Sequence, residues 1–145
     1  MSMSTDCYYG FGFFCENTET EKAKEFFKRH IATVEKLGEE DALEIINSED
    51  GDIEEIEVDA EFGYCWKGFL NLIAKVMTKE TGIRFSCYSG DNDSIAIMLL
   101  ESLPWDWNEV ERNLTKDILT DILKKYAEEL GLSKDIDYVK IEVFG

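Results

Sequence analysis

Proline, histidine and long apolar runs are scarce in this sequence. Its 145 residues include one proline and one histidine, and no run of 18 apolar residues occurs. A single proline argues against a linker or low-complexity region, and the missing apolar run argues against a transmembrane helix. Residues 1–6 lack the basic and apolar stretches of a secretory leader. Because 44% of the residues are hydrophobic, we expect one folded domain over residues 1–145. The missing leader predicts that this domain works in the cytoplasm.

The cysteine pattern indicates neither zinc binding nor a disulfide framework. Four cysteines occur, at Cys7, Cys15, Cys65 and Cys87. No two of them form a Cys-x-x-Cys pair, and one histidine is too few to complete a zinc set of the usual spacing. All four lie in apolar segments of a chain without an export signal. They are therefore predicted to be buried free thiols.

Sequence signatures of catalysis are missing as well. The chain has no Gly-x-Ser-x-Gly elbow, no His-Glu-x-x-His and no P-loop. His30 falls on the apolar stripe of a predicted helix, where a packed or rim histidine is a simpler interpretation than a catalytic base. Asp91 and Asp93 would suit a loose calcium site, but a solvated turn explains them equally well. We predict no catalytic residue, no metal site and no cofactor, in a protein that is not an enzyme.

Hydrophobic periodicity predicts strands alternating with helices. Predicted strands cover residues 7–15, 54–61, 83–88, 94–103 and 138–144. The turn-rich residues 89–93 between two apolar runs predict a hairpin of the strands on either side. One main helix is predicted over 18–37, with a capping box at its start and Gly38 as its stop. A second is predicted over 65–82, with Gly82 as its C-cap. A third runs from Asn108 or the Asn113/Thr115 region to Leu130, with a stop at Gly131, and a short acidic helix is considered over 39–47. The order β-α-(α)-β-α-β-β-α-β predicts an α+β two-layer sandwich. It would contain one mixed or antiparallel sheet of about five strands and three main helices.

Two glycines leave one face of the first strand without bulky side chains. Gly10 and Gly12 alternate with bulky apolar residues in "CYYGFGFFC". Tight internal packing is the simpler explanation, and a glycine-lined binding face is the alternative. The first and last strands are both candidate edges for dimerisation, so the sequence leaves the oligomeric state open.

Negative charge is concentrated in one part of the chain. The net charge is −17, and residues 39–62, here called the acidic segment, contain twelve acids and no base. Within it, "EDGDIEEIEVDAE" places Ile56, Val58 and Ala60 on one face of a predicted strand and carboxylates on the other. Edge protection against aggregation needs only one or two charges and often uses lysine. This excess favours a cationic partner.

The candidate partner-binding residues combine these acids with two nearby tryptophans. They are Glu49, Asp50, Asp52, Glu54, Glu55, Glu57, Asp59, Glu61, Trp105 and Trp107. Burial of both tryptophans is the simpler interpretation, whereas an exposed one would be a typical interface anchor. With 15 bases against 32 acids, the field has the wrong sign for direct contact with nucleic acid or an anionic membrane.

These features predict an acidic protein-binding module that occludes a basic surface of another protein. An inhibitor or an immunity-type protein would fit, of the kind common in phages and mobile elements. The occluded surface would be one that otherwise holds nucleic acid if the acidic segment acts as a nucleic-acid mimic. The alternative is a small enzyme or ligand-binding domain with a pocket between sheet and helices.

Overall fold

Four strands and five helices occur in the part of the chain that the computed structural model describes: residues 5–38, 46, 65, 67–90, 94–100, 106–132 and 136–144. The strands are β1 (Thr5–Phe14), β2 (Phe85–Ser89), β3 (Ile95–Leu100) and β4 (Asp137–Phe144). The helices are α1 (Thr20–Arg29), α2 (Ile31–Leu37), α3 (Gly68–Thr81), α4 (Glu109–Arg112) and α5 (Lys116–Glu129). The predicted α+β class is confirmed.

The four strands form one antiparallel sheet in the order β2-β3-β1-β4. The predicted hairpin is present, since β2 pairs with β3 and Cys87 lies opposite Ile97. Strand β1 pairs with β3 on one side and with β4 on the other. The suggestion that the first strand is an edge open to dimerisation is therefore wrong. Within the described sheet the edges are β2 and β4.

Alternation along the strands produces two buried faces. The face toward the helices contributes Phe11, Phe13, Phe85, Cys87, Ile95 and Ile97 to the main core. The opposite face carries a smaller buried cluster of Tyr88, Ala96, Met98 and Val139. Because successive side chains of a strand point to opposite faces, β3 buries Ile95 through Met98 without interruption. The continuous apolar run in the sequence is explained by this burial on both sides.

The glycines of β1 allow close approach of β3. A Cβ atom at Gly12 would lie 2.6 Å from the Cα of Met98, and one at Gly10 would lie 2.7 Å from the sulfur of the same residue. Real Cβ atoms do not come this close to other heavy atoms. Tight internal packing is thus the role of these two glycines, and the alternative of a glycine-lined binding face is not needed to explain them.

The most buried helix is α3, at the centre of the main core. Its buried side chains include Phe69, Leu70, Leu72, Ile73, Val76 and Met77. The helix ends at Gly82, which adopts the left-handed conformation (φ 75°) that glycine tolerates best. The predicted helix over 65–82 is confirmed with a later start. None of the helices in the described ranges has the length and apolar character to cross a membrane.

The predicted helix over 18–37 is broken into α1 and α2 at His30. The break has a backbone signature, because His30 has φ −104° and ψ 29° and serves both as the C-cap of α1 and as the N-cap of α2. The predicted capping box is wrong: Glu19 is the N-cap and makes no side-chain cap, while the Thr18 hydroxyl donates to the Cys15 carbonyl oxygen (2.7 Å). Gly38 ends α2 with φ 67°, as predicted.

Both candidate starts of the last helix are used, each by its own helix. Asn108 begins α4 through a capping box with Glu111, and the Thr115 side chain accepts from the backbone N–H of Ile118 at the start of α5. Three predicted main helices thus become five in the described residues. The predicted fifth strand over 54–61 and the short helix over 39–47, apart from Ile46, lie outside those residues. The five-strand count and the complete order are therefore not confirmed.

Candidate functional site

The single histidine links the α1–α2 junction to two other helices. His30 lies at the α1–α2 junction, Glu80 near the end of α3, and Glu129 at the end of α5. The ring of His30 packs against Phe26, with the two centroids 4.4 Å apart, and 9% of its side chain is exposed. The break between α1 and α2 therefore positions a largely buried imidazole where the ends of two other helices meet.

Both ring nitrogens of His30 contact carboxylates. Nδ1 lies 2.7 Å from Oε2 of Glu80, and Nε2 lies 2.7 Å from Oε2 of Glu129. An imidazole donates from both nitrogens only when it is protonated, so this geometry suits a cation held between two anions. A general base needs a free nitrogen to accept a proton. The predicted interpretation of a packed or rim histidine is therefore favoured over a catalytic one.

Glu80 is the most heavily hydrogen-bonded member of this cluster. Besides His30, its carboxylate accepts from the Thr33 hydroxyl (2.7 Å) and the Tyr126 hydroxyl (2.8 Å). Burial alone would raise the pKa of Glu80, but the hydrogen bonds and the charge of His30 outweigh it and lower the pKa. Burial and the neighbouring carboxylate of Glu80 raise the pKa of Tyr126, so its hydroxyl stays protonated and remains a donor.

A cleft of about 410 Å³ adjoins the cluster. It is lined by His30, Glu80, Thr81, Ile122, Lys125 and Tyr126. This volume is within the range of small-ligand sites. However, the carboxylate of Glu80 and both ring nitrogens of His30 are already engaged within the protein. The cleft lies among helices, whereas the sequence predicted a pocket between sheet and helices.

The described residues contain no arrangement suited to a metal ion. In the described ranges no set of three or more His, Cys, Asp or Glu side chains is arranged to hold a metal ion. His30, Glu80 and Glu129 are close together, but the two carboxylates contact different nitrogens of the ring. They therefore lie on opposite sides of the imidazole and do not converge on one point. Asp91 and Asp93 lie outside the described residues.

Replacing Glu80 by glutamine is expected to flatten the acid limb of the stability profile. The pKa of Glu80 is lower in the folded state than its unfolded value of about 4.3. Its contribution is thus fully present above that value and is lost as the pH falls through the folded pKa. Urea unfolding between about pH 6 and pH 3 measures this. The exposed Glu35→Gln is the control, and equal slopes in both variants would contradict the assignment.

Most of the predicted partner-binding residues lie outside the described residues. These are Glu49, Asp50, Asp52, Glu54, Glu55, Glu57, Asp59, Glu61 and Trp105. Trp107 is described, is partly buried, and immediately precedes the N-cap residue Asn108. It is therefore neither fully buried, as the simpler interpretation had it, nor fully exposed. Of the ten predicted partner-binding residues, Trp107 alone falls within the described ranges.

The partners of His30 were missed by sequence reasoning, although one signal pointed to them. Glu80 and Glu129 lie in the last turns of their helices, where the partial negative charge of the helix end disfavours an acid. Acids at such positions need compensating contacts: the ring of His30 lies 2.7 Å from both carboxylates, and Arg29 lies 3.9 Å from Glu129. No match to the chain was found among protein-family models, curated proteins or solved structures.

Proposed function

We propose that this protein is a non-enzymatic binding module whose acidic segment docks on a basic surface of another protein. The observation that carries the proposal is the separation of charge along the chain. The described residues include sixteen acids and fourteen bases, which is a net charge of −2, whereas the acidic segment alone carries −12. The described residues, here called the framework, are nearly neutral. The acidity therefore belongs to one segment and is not a general feature of the surface.

Several acids of the framework have local partners. Glu80 and Glu129 flank His30, and Glu111 pairs with Arg84 at 2.6 Å. The acidic segment contains no base that could do the same. Rows of unpaired like charges destabilise their own fold by a few tenths of a kcal/mol per neighbouring pair. Cations supplied by a basic partner would offset this repulsion in the complex.

The proposed segment includes a fifth strand over 54–61. In that strand Glu55, Glu57 and Asp59 would share one face, spaced about 6.6 Å apart. Such a row of carboxylates would steer a basic protein and speed its association at low salt. The mechanism would be steric and electrostatic occlusion, as in an inhibitor or an immunity-type protein, and the cytoplasm is the proposed compartment. A nucleic-acid-binding surface is one basic surface that such a row would suit.

Reversing three charges of the segment tests this proposal. The Glu55→Lys/Glu57→Lys/Asp59→Lys variant is expected to lose a basic protein that the wild type captures from a host lysate at about 50 mM salt. Wild-type capture should also be lost at about 300 mM salt, because screening weakens contacts between exposed charges. The captured protein is then purified and its affinity for each variant is measured directly.

A matched reversal on the framework serves as the control. The Glu25→Lys/Glu35→Lys/Asp121→Lys variant changes the net charge equally, and all three residues are exposed on described helices. It should retain the partner if the position of the charge matters. If both variants bind equally, or if neither they nor the wild type captures a basic protein, the acidic segment serves solubility and the proposal fails.

Ligand binding in the cleft beside His30 is a second candidate. The observation that favours it is a volume of about 410 Å³ with a basic residue, Lys125, among those that line it. It ranks second because the polar groups of His30 and Glu80 are satisfied within the protein. A ligand bound there would be weakened by Lys125→Ala and left unchanged by the triple reversal in the acidic segment, so the two candidates are distinguishable.

A further inference from the structure

The contacts of the His30 ring require one more proton than a neutral imidazole carries. Nδ1 lies 2.7 Å from an oxygen of Glu80, and Nε2 lies 2.7 Å from an oxygen of Glu129. At this distance a proton must lie between nitrogen and oxygen, because two lone pairs would otherwise face each other. The two contacts therefore hold two protons, whereas a neutral imidazole between two ionised carboxylates has one.

The ring is the group through which this cluster responds to pH. Burial tends to raise the pKa of Glu80, but its hydrogen bonds lower the pKa overall, so this carboxyl group ionises readily. Imidazole changes its charge closer to neutral pH than the other side chains of the cluster. The titratable and charged side chains that the described contacts place around the ring are Arg29 of α1, Glu80 of α3, and Lys125, Tyr126 and Glu129 of α5.

The backbone of His30 is bound to both helices of the α1–α2 junction. Its N–H donates to the Phe26 carbonyl oxygen (3.0 Å), and its own carbonyl oxygen accepts from the backbone N–H of Val34 (3.0 Å). The ring packs on Phe26, with the centroids 4.4 Å apart. The imidazole is thus fixed from both sides, so any rearrangement of the cluster must come from a carboxylate.

Glu129 is the carboxylate that can move away from the ring. Glu80 also accepts from the Thr33 hydroxyl (2.7 Å) and the Tyr126 hydroxyl (2.8 Å), and both donors would lose their acceptor if it moved. Glu129 has a different second neighbour, the Arg29 guanidinium, 3.9 Å from its other oxygen. The side chain of Arg29 is 54% exposed. Glu129 can therefore exchange the ring for a cation at the surface.

We propose that His30, Glu80 and Glu129 form a proton-dependent latch that holds the end of α5 against the α1–α2 junction. With two protons in the cluster the latch is closed. When one proton leaves to solvent, the remaining one stays on Nδ1 toward Glu80, and the lone pair of Nε2 then faces Glu129. Repulsion between this lone pair and the carboxylate moves Glu129 toward Arg29. This inference does not depend on the proposed partner binding.

Release of Glu129 would act directly on the last turn of α5. The next residue, Leu130, is 1% exposed and belongs to the main core. Its backbone N–H donates to the Tyr126 carbonyl oxygen (3.2 Å), and that of Leu132 donates to the Ala127 carbonyl oxygen (2.9 Å). Opening the latch removes one contact that holds this turn in place, so the folded state is expected to lose stability as the pH rises.

Nitrogen NMR of the wild-type protein tests the latch directly, because the chain contains one histidine. Both ring nitrogens should carry a proton at about pH 5.5, and Nδ1 alone at about pH 8.5. The amide signals of Leu130 and Gly131 should shift with the same midpoint as the ring. A ring with one proton at the lower pH, a ring with two at the higher pH, or unchanged amide signals would overturn the proposal.

Replacing Glu129 by glutamine should make the contact insensitive to pH. An amide can accept from a protonated Nε2 and donate to an unprotonated one. From about pH 5.5 to 8.5, the folding equilibrium constant of the wild type should fall about tenfold relative to that of Glu129→Gln, because one charge-assisted hydrogen bond is lost. This window lies above the acid limb to which Glu80 contributes.

Asp121→Asn is the matched control, since it removes the same charge from an exposed position of the same helix. It should show the pH dependence of the wild type. Equal dependence in Glu129→Gln and the wild type, or loss of the dependence in Asp121→Asn, would count against the latch. If Glu129→Gln fails to fold, the wild-type NMR titration decides by itself.

Discussion

Replacing Glu111 by alanine is expected to lower the free energy of unfolding by about 3 kcal/mol. Glu111 is 3% exposed, and its carboxylate is the centre of a hydrogen-bond network. It accepts from the backbone N–H groups of Arg84 (3.0 Å) and Asn108 (3.1 Å) and from the guanidinium of Arg84 (2.6 Å to Nη2). Alanine would leave two backbone donors and a cation without this partner.

The cost is large because the network joins distant parts of the chain. It anchors α4 to the residue that precedes β2, and the same carboxylate completes the capping box of α4. Burial tends to raise the pKa of Glu111, but the hydrogen bonds and charge of Arg84 lower it overall, as expected for a carboxylate that folds in its ionised form.

Chemical denaturation of Glu111→Ala measures this effect. Glu109→Ala is the matched control, because Glu109 lies in the same short helix and is exposed. It should change the free energy of unfolding by no more than about 0.5 kcal/mol. Similar losses in the two variants would mean that α4 tolerates removal of the network, and the assignment of Glu111 as its anchor would be wrong.

Gly12→Ala is expected to destabilise the sheet by about 3 kcal/mol, at the upper end for overpacking. The added methyl group would clash with the Ile97 carbonyl oxygen and would lie 2.7 Å from the Cβ of Met98. Two of the three nearest atoms are backbone, so rotation of a side chain cannot relieve the clash. Relief would require separating β1 from β3 in the middle of the sheet.

Thermal or urea unfolding of Gly12→Ala tests this expectation. Phe14→Ala is the control on the same strand, since Phe14 lies two residues along the same face and is 46% exposed. We expect the control to lose much less stability than Gly12→Ala. If Gly12→Ala unfolds like the wild type, the close contact between β1 and β3 is not present in solution.

Local patterns carried most of the fold prediction. Alternation identified β1 and β4, and the turn-rich stretch between two apolar runs identified the hairpin of β2 and β3. Glycine stops were equally informative, since Gly38, Gly82 and Gly131 all have positive φ at helix ends. These signals depend on a few adjacent residues and on backbone sterics. They can therefore be recognised without any knowledge of tertiary contacts.

The prediction failed where a local rule competed with a contact from elsewhere. A Thr-x-x-Glu pattern predicted the capping box at the start of α1, but the Thr18 hydroxyl is taken by the Cys15 carbonyl. The apolar stripe ran through His30 without interruption, yet the chain breaks there and the imidazole bridges two other helices. Neither outcome is visible in residues 18–37 alone.

The sequence by itself determined the α+β class, the buried apolar positions and the concentration of acids in residues 39–62, because composition and periodicity are properties of the chain. Only the tertiary structure decided the strand order, the two carboxylates at His30 and the Arg84–Glu111 pair. His30 lies 50 and 99 positions from its two carboxylates, and Arg84 lies 27 from Glu111. Side chains so far apart meet only after strands and helices have paired, and no short-range pattern encodes which pairs form.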